Sequence, residues 1–436
     1  SDLQTLIDDT SSGATLDLSD DYSFNQDTDD AEGISITKDI TINGNGHTLD
    51  GKNLARIFNI SGSTVTINNL NFVNANVKYD YDHGGAIYSD GVDLTLNGCT
   101  FENNTGYYGA AIGCEEGSIC ISNCDFINNW ANYYGGAIYA YDNPKLIINN
   151  CSFVDNTADD EDGGAIECEY TNLELIDSTF INNVAGNVGG AIDCYTESAY
   201  YEYTVSIIKC NFSNNVAGDV GGAIYFEEME TNISDSSFIN NSADNGGALY
   251  FNSFPSYDSP AYIMNSIFSS NYAEENGGAI DFNGQDTFSY VINSTFVYNE
   301  ADNGGAIFGS QENGVVTENS TYVLNSANTN GGAIYFDCDY EENYVNSCTF
   351  LGNSAEYGGA IYNKGYVHDI IHSIFDGNNA TCAKDLYNNV FIMYFLVCMV
   401  GNRNTSHVLK MVSSICPPVV VQHGFMIFSE FEIFSI

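Results

Sequence analysis

The sequence predicts an all-β solenoid: a parallel β-helix in which short strands wind into coils stacked on one another. Three observations carry this. A Gly-Gly-Ala-Ile phrase starts at Gly84, Gly109, Gly135, Gly163, Gly189, Gly221, Gly246, Gly277, Gly304, Gly331 and Gly358, with variants GAAI at 109 and GGAL at 246. A Phe-x-x-Asn phrase recurs at Phe101, Phe126, Phe153, Phe180, Phe212, Phe238, Phe268, Phe296, Phe350 and Phe375, with Tyr322 in one copy. Between them lie short segments rich in Ile, Val, Phe and Tyr, bounded by Asn, Gly, Asp and Ser, which is strand patterning. In DLTLNGCTF, for example, Leu94 and Leu96 share a face. A fixed period marks a repeat architecture. Five prolines and the lack of helical periodicity inside the repeats set helical solenoids aside.

Each element follows from this register. The intervals of 25 to 32 residues between glycine phrases suit one coil of three short strands and their turns, stacked at ~4.8 Å. One coil cannot bury its apolar face alone, so the next coil supplies the cover and the phrases must recur. The fourth position of the glycine phrase forms an inward column from Ile87 to Ile361, with Leu249 in one place. The phenylalanines form a second. The double glycine marks a turn that needs unusual dihedrals or close backbone approach. The asparagines after each Phe suit left-handed turns with amide bonds between coils. At the start, SDLQTLIDD places Leu3, Leu6 and Ile7 on one face of a short helix that caps the first coil, shielding an otherwise open end. The expected layout is an N-terminal cap and lead-in over 1–32, β-helix repeats over 33–388, and a non-repeat tail over 389–436. The tail reads as a C-terminal cap, a stretch out of its reading frame, or a truncated end. The chain begins at Ser1, as a mature or excised fragment would.

Composition narrows the partners. There are 58 acidic against 10 basic residues, a formal charge of −48. Such a surface repels DNA, RNA and anionic lipid and favours cations and cationic surfaces, and it also keeps a long rod soluble. The longest apolar run, VFIMYFLVCMV at 390–400, falls short of the roughly 18 residues of a membrane span.

The GGAI and FxxN phrases resemble the repeats of polymorphic outer-membrane proteins of intracellular bacteria. ISITKDITINGNGHTLDG followed by Asn-rich repeats is similar to adhesin-like surface proteins of methanogenic archaea. The resemblance covers roughly residues 1–388. It implies a right-handed, pectate-lyase-like parallel β-helix that is extracellular, exposed on a cell surface and a monomeric module.

Thirteen cysteines raise metal and disulfide questions. Cys99, Cys124, Cys151, Cys210 and Cys348 all stand two residues before the Phe, where other copies have Ser. Cys114, Cys168 and Cys194 stand two residues after the inward Ile. These read as interior columns of a small residue rather than a zinc site. Cys120 fits no column. Stacking distance allows disulfides between coils, Cys168 with Cys194 foremost. The resemblance to proteins of strict anaerobes argues for free thiols.

Catalysis finds few residues. The two arginines are Arg56 and Arg403, the glycines around His47 read as a turn, and His368 and His372 are four apart off any helix. The signatures that polygalacturonase-like enzymes share are missing. A carbohydrate lyase or hydrolase is therefore the alternative reading, with no catalytic residue assigned, and a passive stalk is a third. The first reading is a non-enzymatic module attaching to a glycan, protein or wall polymer of another cell.

Its binding face is expected one and three residues after the inward Ile. There Tyr139, Tyr195, Tyr225 and Tyr250 alternate with acids, a mixed aromatic surface. Two long coils add aromatic loops at one corner: Tyr200, Tyr201 and Tyr203, then Phe254 and Tyr257. Loops on a rigid scaffold carry function. Glu167, Glu169 and Asp193 offer oxygen ligands for calcium across adjacent coils.

Overall fold

The structure is a computed structural model that describes residues 2–62, 64–77, 82–196, 203–254, 259–338, 343–364, 367–388 and 395–396. The chain winds as a right-handed parallel β-solenoid of about 13 turns with one short N-terminal helix. Right-handed crossovers between parallel strands follow from strand twist.

A coil has four strands rather than three. One coil runs Ile138–Tyr141, Leu146–Asn149, Ser152–Val154 and Thr157–Ala158. We call the four stacked faces the isoleucine, aliphatic, phenylalanine and short sheets. The fourth strand is only two residues here, too brief for alternation to reveal it in sequence. Each strand pairs in parallel with its equivalent in the next coil, as Ile138 with Ile166 and Phe153 with Phe180. The phenylalanine sheet has 14 strands and the short sheet 11. The other two merge because strands Ile280–Ile292 and Ile307–Glu318 run straight through the corner between them.

Three of the corners in one coil are turned by single left-handed residues: Glu116 (φ 55°), Asn123 (φ 55°) and Asn128 (φ 51°). The fourth is turned by Gly135 (φ 62°). Asn reaches this region at lower cost than most side chains because its short amide bonds locally. The glycine phrase divides its two tasks. Its first residue always has φ between 60° and 68°. Its second lies against the next coil, where a Cβ on Gly190 would stand 2.1 Å from Gly222 O.

The core is a set of stacked columns. Rings stack without a break from Phe72 to Phe375, with centroids 4.5 Å apart at Phe126–Phe153 and 4.9 Å at Phe212–Phe238. The isoleucine column is fully buried. The Phe-x-x-Asn asparagine and the left-handed residue are distinct: Asn103 turns the corner while Asn104 is buried. From Asn104 to Asn378 the buried amides form one ladder. Asn215 Nδ2 donates to Asn241 Oδ1 at 3.0 Å and to Phe180 O at 3.1 Å, and Asn215 N donates to the same Asn241 oxygen. The last amide, Asn378, donates to Asp385 Oδ1 at 3.1 Å.

The cysteine–serine column has a comparable role. Cys99 N donates to Cys124 Sγ, and Cys151 N to Ser178 Oγ at 3.1 Å. The position thus needs a small side chain that also accepts a bond. Cys168 and Cys194 are directly opposed in adjacent strands and buried, yet both are free. The disulfide that stacking distance allows is not formed in this structure; the two thiols lie within hydrogen-bonding reach instead. Cys120 faces outward from the aliphatic sheet, between Thr95 and Ile147.

The helix Asp2–Asp9 caps the first coil with Leu3 and Ile7 buried, but Leu6 is exposed. Leucine at that position lies off the docked face, which Gln4 fixes by bonding both backbone groups of Ser35. Strand Ala14–Asp17 already pairs with Ile40–Asn43, so the sheet starts within the lead-in. Of the tail, only residues 395–396 are described.

Candidate functional site

The aromatic face is built by the isoleucine sheet and by the turn that precedes each glycine phrase. That turn folds back over the strand. A Cβ on Gly113 would lie 2.5 Å from Gly84 N and 2.8 Å from His83 Cβ. The residue after the inward Ile is consequently covered. Tyr139 and Tyr225 are buried, as are Glu167, Asp193 and Asp281, whereas Tyr250 is half-buried. This corrects the expectation that this row faces solvent: alternation sets its direction away from the core, but the returning turn roofs it. The outer surface falls instead to the residue two further on, including Tyr141, Glu169 and Tyr195, and to the turn itself.

The turn residues are what the sequence reading missed. Tyr107 stacks on Tyr133 at 4.7 Å, and Tyr108 on Tyr134 at 5.4 Å. Tyr134 adjoins Tyr139 at 6.3 Å, Tyr139 adjoins Tyr141 at 6.4 Å, and Tyr141 meets Tyr170 edge-on at 5.9 Å. Tyr170 contacts Tyr195 and Tyr203 at 6.3 and 6.2 Å. One connected aromatic surface thus spans from Tyr107 to the root of the first long loop. The signal was present in the doublets YYGA and YYGG just before the glycine phrase. Their role became visible only when the turn closed over the sheet.

Carboxylates are interleaved with the rings. Tyr139 Oη donates to Glu169 Oε2 at 3.0 Å, and Tyr88 Oη to Glu115 Oε1 at 3.3 Å. His83 Nδ1 lies 2.6 Å from the same Glu115 oxygen. Burial, reinforced by Glu115, pushes the Tyr88 phenol up to about 12. Burial and Glu169 hold the Tyr139 phenol above its ordinary range, so these tyrosines remain neutral donors. A second group lies further along, where Tyr225 stacks on Tyr250 at 5.7 Å and Asn252 bonds Tyr225 Oη at 3.1 Å and Glu227 at 2.9 Å.

The remaining expected residues separate. Tyr203 is half-buried against the core, and Phe254 is exposed with its N–H on Glu228. Tyr200, Tyr201 and Tyr257 lie outside the described residues. Of the calcium set, Glu169 is engaged by Tyr139, while Glu167 and Asp193 are sealed beneath the turn. Among the described residues, no three His, Cys, Asp or Glu side chains gather as a metal ion requires. Arg56 is spent on structure: Nε donates to Gly84 O at 2.9 Å and Nη2 to His83 O at 2.8 Å. His47 lies 3.1 Å from Asp21, and His372 occupies a left-handed corner.

Residues 32–225 match the family model of the right-handed β-helix region. Residues 235–252 and 347–364 match the Chlamydia polymorphic membrane protein repeat. No curated protein and no solved structure matches the chain. No helix among the described residues is long and apolar enough to cross a membrane.

Proposed function

We propose, from the premise of a right-handed β-helix carrying polymorphic-membrane-protein-like repeats, that this protein is a cell-surface attachment module. It binds a glycan, protein or wall polymer of another cell through the tyrosine and carboxylate face. The observation that carries this reading is the connected surface from Tyr107 to Tyr203, with phenols and carboxylates side by side on a rigid rod. Aromatic rings with polar edges supply both apolar contact and directional bonds, and a rigid scaffold limits the ordering cost of binding. The surrounding acids favour partners with cationic or hydroxyl-rich surfaces. The repeat match supports a cell-surface location, because those repeats are named for membrane proteins.

The test is binding of the intact chain to whole cells and to a glycan array. Substituting Tyr107, Tyr133 and Tyr141 by Ser should weaken attachment by at least about tenfold, the scale of losing central aromatic anchors. Circular dichroism should stay unchanged, because these rings are not in the core columns. A parallel variant with Ser at Tyr201, Tyr203 and Tyr257 tests the loops. Unaltered binding in both variants would refute the assignment, and sustained reducing-end release from a polysaccharide would replace it with an enzyme.

A further inference from the structure

Beneath the aromatic face, the covered row changes chemistry. Tyr139 and Tyr225 occupy it on either side, but Glu167 and Asp193 stand between them, directly opposed in adjacent strands. Both side chains are buried; Glu167 Oε2 and Asp193 Oδ1 meet no hydrogen-bond donor, and the two carboxyls lie within hydrogen-bonding reach of each other. The glycine turn sits on top: a Cβ on Gly163 would lie 2.9 Å from Glu167 Oε2. That turn is laced to the next one. Gly163 N donates to Val188 O and Gly164 N to Gly189 O, each at 3.0 Å, while Asp162 Oδ1 accepts from Val188 N at 3.0 Å.

The groups facing the pair come from every packed element. The turn contributes Asp162, which interacts with both acids, and Glu161, which adjoins Asp162. The strands contribute Glu169 and Glu227, and Cys168 and Cys194 lie on the inner side. Tyr134 and Tyr139 flank Glu167, and Tyr225 flanks Asp193. All of these are acidic or neutral. Two ionised carboxylates so placed would be buried like charges without a counter-ion, which costs far more than protonation.

We infer that Glu167 and Asp193 form a proton-operated catch: a proton held by the pair keeps the turns over 159–164 and 186–190 closed on the strand, and its loss opens them. The step is a simple acid–base one, in which a carboxyl O–H gives its proton to water and leaves a carboxylate that must reach solvent. Burial first, and then Asp193 and Asp162, hold the Glu167 carboxyl well above its ordinary range; burial first, and then Asp162, do the same for Asp193 against the lowering effect of its hydrogen bond with Glu167. Burial also lifts Asp162 to about 6, against the bonds from Val188 and Asn187. Both folded values lie above the unfolded ones, so the closed state is fully favoured below the unfolded value, near ~4. That preference is lost as pH rises through the folded values. Because Tyr134 and Tyr139 adjoin the pair, opening would disorder the centre of the aromatic face. The catch does not depend on the attachment reading and is tested without any partner.

Amide hydrogen exchange of the intact chain at Gly163, Gly164, Gly189 and Gly190, corrected for intrinsic rates, reads the opening from about pH 4 to about pH 9. Between about pH 4 and the folded values, where opening releases protons that the closed state still holds, protection should fall by about tenfold per pH unit for each proton released, and it should level off above them. Glu167→Gln with Asp193→Asn should abolish that slope. Gly304 and Gly305, whose covered residue is Phe308, should show no slope in either protein. An equal slope in wild type and variant, a flat wild type, or closure restored at high pH by calcium would each overturn the catch. If the double variant fails to fold, infrared spectroscopy of the wild type and of Asp193→Asn decides. A neutral-carboxyl carbonyl band at neutral pH, reduced in the variant, supports the catch, and its absence from the wild type refutes it.

Discussion

The repeating residue with the strongest constraint is the asparagine three positions after the phenylalanine. It is buried, yet all its polar atoms are used. Asn241 Oδ1 accepts from Asn215 N and Nδ2, while its own Nδ2 donates to Phe212 O and Asn271 Oδ1. An apolar replacement would strand several groups in neighbouring coils at once: Asn215 N and Nδ2 would lose this acceptor and Phe212 O this donor, while Asn271 Oδ1 would keep only the bond from the residue 241 backbone. An unmet buried group costs ~1–3 kcal/mol. Asn241→Ala should therefore lose about 3 kcal/mol or more in urea unfolding, with an effect larger than that of deleting a surface asparagine such as Asn240, which serves as the control. The left-handed corners are less demanding. Asn, Asp and Gly fill most of them, but Tyr298 (φ 57°) and Leu324 (φ 52°) also do, accepting ~1–2 kcal/mol of local strain.

At the scale of the element, the glycine turn is the part that cannot be varied. Its first residue needs a left-handed backbone and lies against its own strand: a Cβ on Gly189 would stand 2.3 Å from Ile192 O. Its second residue tolerates a methyl once, at Ala110. The first never carries a side chain. Gly189→Ala should lower stability by ~3 kcal/mol, the range for backbone strain combined with a steric clash. The loss should show as early proteolysis near 186–190, whereas Gly190→Ala should be milder. The same turn roofs the covered row and supplies Tyr107, Tyr108, Tyr133 and Tyr134 to the outer face. One element thus governs both the seal over Glu167 and Asp193 and the proposed binding surface.

For the whole molecule, stability is a sum of similar interfaces between neighbouring coils, opposed by a net charge of −48. Several of the described cations are engaged locally, as Lys145 with Glu174 at 2.6 Å and Lys364 with Asp337 at 2.8 Å, and these surface pairs contribute little. Self-repulsion therefore falls on the fold as a whole. Raising salt from about 0.01 to about 0.15 M shortens the screening length from ~30 to ~8 Å, and the thermal midpoint should rise by several degrees over that interval. A midpoint that is unchanged or lowered would show that the acidic surface carries no net penalty.

The sequence by itself determined the period, the parallel stacking and the inward columns of isoleucine, phenylalanine and small residues, because each is written once per coil and only stacking buries them. It also marked the glycine phrase as a turn with special backbone needs. The tertiary structure decided what lies outside. Alternation along one strand tells core from not-core, but whether the other side meets water depends on a turn that returns from residues distant along the coil. That is why Tyr139, Glu167, Asp193 and Tyr225 are roofed, and why the paired tyrosines of the turn form the surface. The two-residue fourth strand and the separation of ladder asparagine from corner asparagine were hidden for the same reason. Their identity comes from the neighbouring coil, not from residues beside them in the chain.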